Sequence, residues 1–248
     1  MADVSRAPRW TRHFVYRAEI TRTTWLCRFG IVAIVIAVLW FGRGWWTVAL
    51  GRSLVCDANT APSDAMLVEN FDPDFMVFKR AGQLRMSGAA ARVLVPIETD
   101  SGNATDNPVR VGTAEVMARL ARIEHVEMVP IRVVEPISLN AAYDVLRFLQ
   151  AEHLQSVLVL SPLFRSRRSA LVYGAVLRRA GITVRCEPVE EQPDVEHWTR
   201  TWHGVQEVAE QWIKLQYYRI YVLPFHLRTD ATADRSAERG VDHLHLAP

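Results

Sequence analysis

Five short aliphatic runs recur along the chain: DAMLVE (64–69), RVLVPI (92–97), VEMVPIRVV (126–134), SVLVLS (156–161) and ITVRCEP (182–188). They are rich in Val, Ile and Leu and lack the polar alternation of a strand with one wet face. Such strands are buried on both sides, which requires helices above and below a mostly parallel sheet. The intervening segments supply them. Residues 73–84 follow Asp72, an N-cap candidate, with Pro73 in the first helical position. Thr113-Ala114-Glu115 opens a second helix, with Val116, Leu120 and Ile123 at helical spacing. Residues 139–154 follow Ser138, and residues 166–180 end at Gly181, a C′ glycine. A last helix over 195–218 carries one apolar stripe of Trp198, Trp202, Val205, Val208, Trp212 and Leu215. Its Glu210–Lys214 pair has the favoured i,i+4 orientation. This order predicts an α/β fold, a three-layer Rossmann-like and mostly parallel sheet over residues 62–222.

The region before the sheet reads differently. Residues 29–41 (FGIVAIVIAVLWF) contain no charge. At helical rise they cover only about 20 Å of a ~30 Å hydrocarbon core. Extension to residue 50 reaches spanning length, with Arg43 snorkelling to the interface. Trp25, Trp40, Trp45 and Trp46 flank the run as interfacial aromatics do. Arg6, Arg9, Arg12, Arg17, Arg22 and Arg28 precede it, against Arg43 and Arg52 after it. That bias predicts a cytoplasmic basic arm (1–28), one transmembrane helix (29–50) in the inner (plasma) membrane, and an extracytoplasmic domain. A cleaved signal peptide with Ala49-Leu50-Gly51 at the cut is the competing reading. The long stretch after the apolar run, with Arg43, Trp45 and Trp46, argues against it. A buried core helix is the third. Ser53-Leu54-Val55-Cys56 is not a lipobox, because Val55 is too large for its position. The tail over 226–248 is polar and expected to be disordered; His243 and His245 alone do not make a metal site.

The net charge is +2, so no global basic field points to nucleic acid. Cys27, Cys56 and Cys186 are the three cysteines, and none has zinc-site spacing. Outside the membrane Cys56 and Cys186 can pair; the other reading makes Cys186 an inert core residue. No cofactor is indicated.

In a parallel sheet all C-terminal strand ends share one edge, where ligands bind. Here those ends are Glu69-Asn70, Glu98-Thr99-Asp100-Ser101, Glu135-Pro136-Ile137-Ser138-Leu139-Asn140, and Ser161-Pro162 followed by Arg165, Arg167 and Arg168. Asn70, Asp72 and Ser138 also fit as plain helix caps. Arginines are disfavoured in a first helical turn by the macrodipole, so three of them there suggest a bidentate anion clamp. A solvated arginine face, or pairing with Glu69, Glu98 or Glu135, is the alternative.

These residues resemble the YdcF/SanA/ElyC-like family, a bacterial domain-of-unknown-function family often found behind one N-terminal membrane helix. The resemblance covers residues 62–220 and rests on four pieces. DAMLVE matches an Asp-Ala-aliphatic opening strand. Glu135-x-x-Ser138-x-Asn140 matches Glu-x-x-Ser-x-Asn-Thr-x-Glu-Asn. Ser161-Pro-Leu-Phe-Arg-Ser-Arg167-Arg168-Ser169 matches Ser-x-Pro-Phe-His-x-Arg-Arg. Trp202, Glu210, Lys214, Tyr217 and Tyr218 match the closing helix. The resemblance implies a Rossmann-like fold and a role in the cell envelope. Departures are the loss of the family glycines at Glu69-Asn70-Phe71 and the residues Ala141, Tyr143 and Asp144 in place of Thr, Glu and Asn. Arg165 stands at the family histidine and cannot be a general base. Glu135 is the only matched carboxylate left for that role.

The first expectation is therefore a single-pass envelope protein that binds a phosphorylated or other anionic ligand, either a small molecule or a lipid-linked one. Arg165, Arg167 and Arg168 would clamp the anion. Ser138, Asn140 and Ser161 would donate hydrogen bonds, with Glu69 and Asn70 at the same edge, and Glu135 would hold a hydroxyl or cation. The second is a hydrolase or transferase on a lipid-linked or phosphate-bearing envelope substrate with Glu135 as base, though no Ser-His-Asp set or Walker-type loop supports it. The third is a cytoplasm-facing nucleotide-type binder, which the missing glycine-rich turn disfavours. The fourth is a scaffold that has lost its chemistry.

Overall fold

The computed structural model describes residues 25–71, 74–99, 107–190 and 194–225. Expectations placed on Arg6, Arg9, Arg12, Arg17, Arg22, Asp72, Pro73, Asp100, Ser101, His243, His245 and the polar tail lie outside those residues.

The chain divides into two compact units, Met1–Trp46 and Thr47–Pro248. The span expected over 29–50 is not one helix but two, α1 (Trp25–Phe41) and α2 (Arg43–Ser53). No single described helix is long and apolar enough to cross a membrane; α1 and α2 meet that test only as a broken pair. The break lies at Gly42, where Gly42 and Gly44 lower helix propensity on either side of Arg43. A Cβ on Gly42 would lie 2.7 Å from the Val38 carbonyl oxygen and 3.0 Å from Trp46 Nε1.

The second unit is built on the five strands: β1 (Ser63–Val68), β2 (Ala90–Thr99), β3 (Glu127–Arg132), β4 (Ser156–Pro162) and β5 (Thr183–Val189). All pair parallel in the order β3-β2-β1-β4-β5. The α/β expectation holds. β1 shows why its residues read as a continuous apolar run. Ala65 and Leu67 enter one core with α5 (Ile137–Ala151) and α6 (Ser166–Leu177). Met66 and Val68 enter the other with α3 (Phe75–Met86) and α4 (Pro108–Leu120). Both faces of the strand are dry, so alternation has no solvent side to report. β3, an edge strand, stops at Arg132, and Val133 and Val134 are exposed.

Several helix starts differ from the sequence expectation. Asp74, not Asp72, caps α3, accepting from the Met76 amide at 2.9 Å. α4 begins at Pro108 rather than Thr113, because Asn107 caps it and proline suits the first position. α5 begins at Ile137, so Ser138 lies inside the first turn and is not its cap. The last helix, α7 (Trp202–Tyr217), starts after its cap Thr201 and continues as a π-helical turn, Tyr218–Val222. Gly181 closes α6 in the left-handed region, φ +79°. Gly82 lets α3 press on the end of α4; a Cβ there would lie 2.2 Å from the Ala121 carbonyl oxygen.

A third apolar cluster joins distant parts of the chain. Leu54 at the end of α2 packs with Leu163 and Phe164 beyond β4, with Trp198, and with Val208 and Leu215 of α7. Beside it Cys56 and Cys186 form a disulfide, so Cys186 is not an inert core thiol. The Asn59 amide donates to the Cys186 carbonyl at 2.8 Å, running the linker along β5.

Candidate functional site

Chain order reverses between β1 and β4. The crossovers through α3 and α4 run outward from β1 on one side, and β4 returns to its other side. In a sheet of this kind that reversal opens a crevice at the carboxyl ends of the two strands. Val68 pairs with Leu160, and the Glu69 amide donates to the Leu160 carbonyl at 3.0 Å. The next residues, Glu69-Asn70 and Ser161-Pro162, therefore stand side by side at the crevice. Strand alternation turns Glu69 and Ser161 toward α6, and Asn70 toward the opposite face.

All three are buried. Glu69 is 4 %, Asn70 2 % and Ser161 0 % exposed. Loops of this kind are ordinarily wet, and buried polar atoms are ordinarily paired. Here Asn70 Oδ1 and Nδ2 and Ser161 Oγ have no hydrogen-bond partner among the described residues. Glu69 does have one: Ser169 Oγ donates to its Oε2 at 2.7 Å.

The arginine turn lies above them. Leu163–Arg165 is a 3-10 turn that leads directly into α6. Arg165, Ser169 and Tyr173 are four apart and share one buried face. Arg168 is half-buried beside them. Its Nη1 donates to Ser138 Oγ at 3.5 Å, its guanidinium lies 5.7 Å from the Tyr218 ring centre, and its Nε has no hydrogen-bond partner. Tyr218 in turn accepts from the Ser138 amide at 3.1 Å. Arg167 sits a helical step round and turns away. It is exposed, and its Nη1 reaches Asp57 Oδ2 at 3.4 Å. The three arginines are thus not one cluster.

Burial raises the Glu69 pKa above the ordinary carboxyl value of 4.5, against the opposing charges of Arg165 and Arg168 and the Ser169 bond. Burial lowers that of Arg168, with Glu69 opposing. The folded protein therefore holds the Glu69 proton more tightly than the unfolded chain does. Its stabilising contribution is full below about pH 4.5 and is lost as pH rises through the raised folded value. The stability difference between the natural chain and Glu69→Gln, from urea unfolding across a pH series, should fall as pH rises from 4.5. A difference independent of pH would show that Glu69 titrates normally.

The other expected residues serve the scaffold. Glu135 is exposed, and its Oε2 accepts from the Ile137 amide at 3.4 Å beside the start of α5. Asn140 Nδ2 donates to the Val134 carbonyl at 2.9 Å and the Pro136 carbonyl at 3.4 Å, fastening the β3–α5 loop. Glu98, on β2, pairs with Arg110 at 2.8 Å. The site also uses residues that were not picked out as ligands. Tyr173 has a buried hydroxyl without a partner, and burial pushes its pKa well up. Glu207 and Gln211 of α7 face the same region: Arg165 and Glu210 act on the Glu207 charge, whose pKa burial raises, and Gln211 Oε1 is buried without a partner. The signal for both was available, since 165-169-173 and 207-211 place polar residues at i,i+4 on otherwise apolar helix faces.

The arrangement offers two guanidinium groups, hydroxyls and an amide around one buried carboxyl. It suits binding of an anion. Among the described residues no three His, Cys, Asp or Glu side chains converge as metal ligands. A scan against models of known families, a search of curated proteins and a search of solved structures each find no match to this chain.

Proposed function

We propose that this chain is a membrane-anchored protein of the cell envelope whose extracytoplasmic α/β domain binds a phosphorylated or other anionic ligand at the β1/β4 crevice. The observation that carries the reading is the set of buried polar atoms without partners on Asn70, Ser161 and Arg168, gathered at the place where such sheets take ligands. Arg165 and Arg168 clamp the anion, and Asn70, Ser138 and Ser161 complete its hydrogen bonds. The anchor is supported by the apolar run with its flanking arginines and tryptophans, and the compartment by the disulfide, which suits an oxidising environment. The resemblance to the YdcF/SanA/ElyC-like family agrees with both. Glu135, exposed with one long bond from the Ile137 amide at 3.4 Å, stands apart from the buried crevice residues that support the binding reading.

Inorganic pyrophosphate is the probe. Full-length protein in neutral detergent should melt higher as pyrophosphate is added, because a ligand that binds only the folded state stabilises it. Arg168→Gln should weaken that binding by about tenfold or more, the scale of a charge-assisted hydrogen bond. An unchanged shift refutes the clamp.

A further inference from the structure

A second group of arginines lies on the other flank of α6, away from the β1/β4 crevice. A cleft of about 640 Å³ runs between the linker after α2, α6, β5 and the end of α7. Its wall carries Arg167 from α6, Arg178 from the turn after it, Arg185 from β5 and Arg219 from the π-helical turn. Asp57 is the only carboxylate in the wall, and it is 98 % exposed in its side chain. Four positive groups against one negative in the wall, with Asp64 acting on Arg185 from outside it, leave the concave surface net positive.

Arg167 pairs with Asp57, whereas Arg178 and Arg219 meet no carboxylate among the described residues. Arg178 Nη2 donates to the neutral Val184 carbonyl at 3.4 Å, and Arg185 Nη1 to Ser63 Oγ at 3.0 Å. Asp64 acts on Arg185 through charge and offsets it in part, while Asp64 Oδ2 also accepts the Gln155 and Ser156 amides. Arg219 makes no hydrogen bond or ion pair among the described residues. Like charges gathered without partners repel one another, so the arrangement costs stability unless an anion joins them. The cleft floor is apolar, through Leu171, Val184 and Leu215 beside the disulfide. Its volume is that of a site for a small organic ligand.

We infer that this cleft is a second binding site, for a phosphate-bearing molecule with an apolar or sugar portion. Its phosphate meets Arg178, Arg185 and Arg219, and the remainder covers Leu171 and Leu215. The wall includes Ser53 at the end of α2, so both a lipid headgroup and a soluble phosphate ester supply the required chemistry.

The test uses full-length protein carrying Arg168→Gln, so that the crevice is weakened and the effect of the cleft arginines is read above it. Pyrophosphate should still bind, measured by titration calorimetry. Adding Arg219→Gln should weaken the remaining binding by about fivefold or more, and adding Arg178→Gln should weaken it further. Arg219→Gln breaks no hydrogen bond or ion pair among the described residues and relieves repulsion, so its melting temperature without ligand should hold or rise and folding loss is no confounder. Equal affinity with and without Arg219, or no binding at all once Arg168 is changed, overturns the cleft while leaving the crevice reading intact. Neutral micelles containing phosphatidylglycerol then separate the sources. Competition with pyrophosphate identifies a lipid headgroup, and pyrophosphate binding undisturbed by those micelles identifies a soluble phosphate.

Discussion

Changing both Cys56 and Cys186 to serine should lower the unfolding free energy by about 2–5 kcal/mol, measured by urea unfolding beside the oxidised natural chain. The bond closes a loop of 130 positions, for which chain entropy alone gives roughly 5 kcal/mol. The folded state loses less, because other contacts still hold the linker. Leu54 stays in the cluster with Phe164 and Trp198, the Cys56 amide donates to Ser166 Oγ at 3.0 Å, and the Asn59 amide bonds to β5. Most of the effect therefore comes from the freed unfolded chain, so the denaturant slope should change along with the midpoint. Dithiothreitol should reproduce the loss in the natural protein and do nothing to the double variant. The same bond reports on compartment. Alkylation of denatured, unreduced protein should mark one thiol per chain, Cys27, which lies outside the disulfide. Three marked thiols would place the domain in a reducing compartment and sink the extracytoplasmic reading.

How much of this was open to a reader of the sequence follows from which distances the physics spans. The strands were legible because the central ones are dry on both faces, and a run such as SVLVLS has no other comfortable place in a chain of this size. The carboxyl edge of the sheet followed from parallel pairing alone, and Glu69, Asn70, Ser161, Arg165 and Arg168 do gather there. Arg167 was grouped with them by proximity along the chain. One residue in a helix turns the side chain by about 100°, and that carries Arg167 to the opposite flank. Glu135 and Asn140 look like site residues in sequence because they are polar at a strand end. In space their oxygens and nitrogens close helix and loop backbone instead. The seat of Leu54, a contact between remote segments, left no local trace, and the Cys56–Cys186 disulfide was one of two open readings. The start of α4 was missed for a different reason. Apolar spacing marks the middle of a helix, whereas Asn107-Pro108 marks its start through capping chemistry.

Phe164→Ala should cost about 3–5 kcal/mol, the range for deleting a fully buried aromatic ring. Phe164 is 2 % exposed and sits between Pro162, the last residue of β4, and Arg165. Its ring is the part of the arginine turn that enters the third apolar cluster, against Leu54, Trp198, Val208 and Leu215. Removing it leaves a cavity where three remote segments meet, and none can close it without leaving its own seat. Two consequences separate this change from Arg168→Gln. Phe164→Ala should lower the urea midpoint and weaken pyrophosphate binding together, because the turn that aims Arg165 loses its anchor. Arg168→Gln should weaken binding with the larger part of the stability retained. Phe164→Leu, which keeps most of the volume, should cost under about 1.5 kcal/mol and hold most of the binding. A loss below about 1 kcal/mol in Phe164→Ala would mean that the cluster collapses freely around the gap. The arginine turn would then be held by the backbone of β4 and α6 alone. In that case the aim of Arg165 would depend on Ser169 and Tyr173 below it, and binding should survive the loss of the ring.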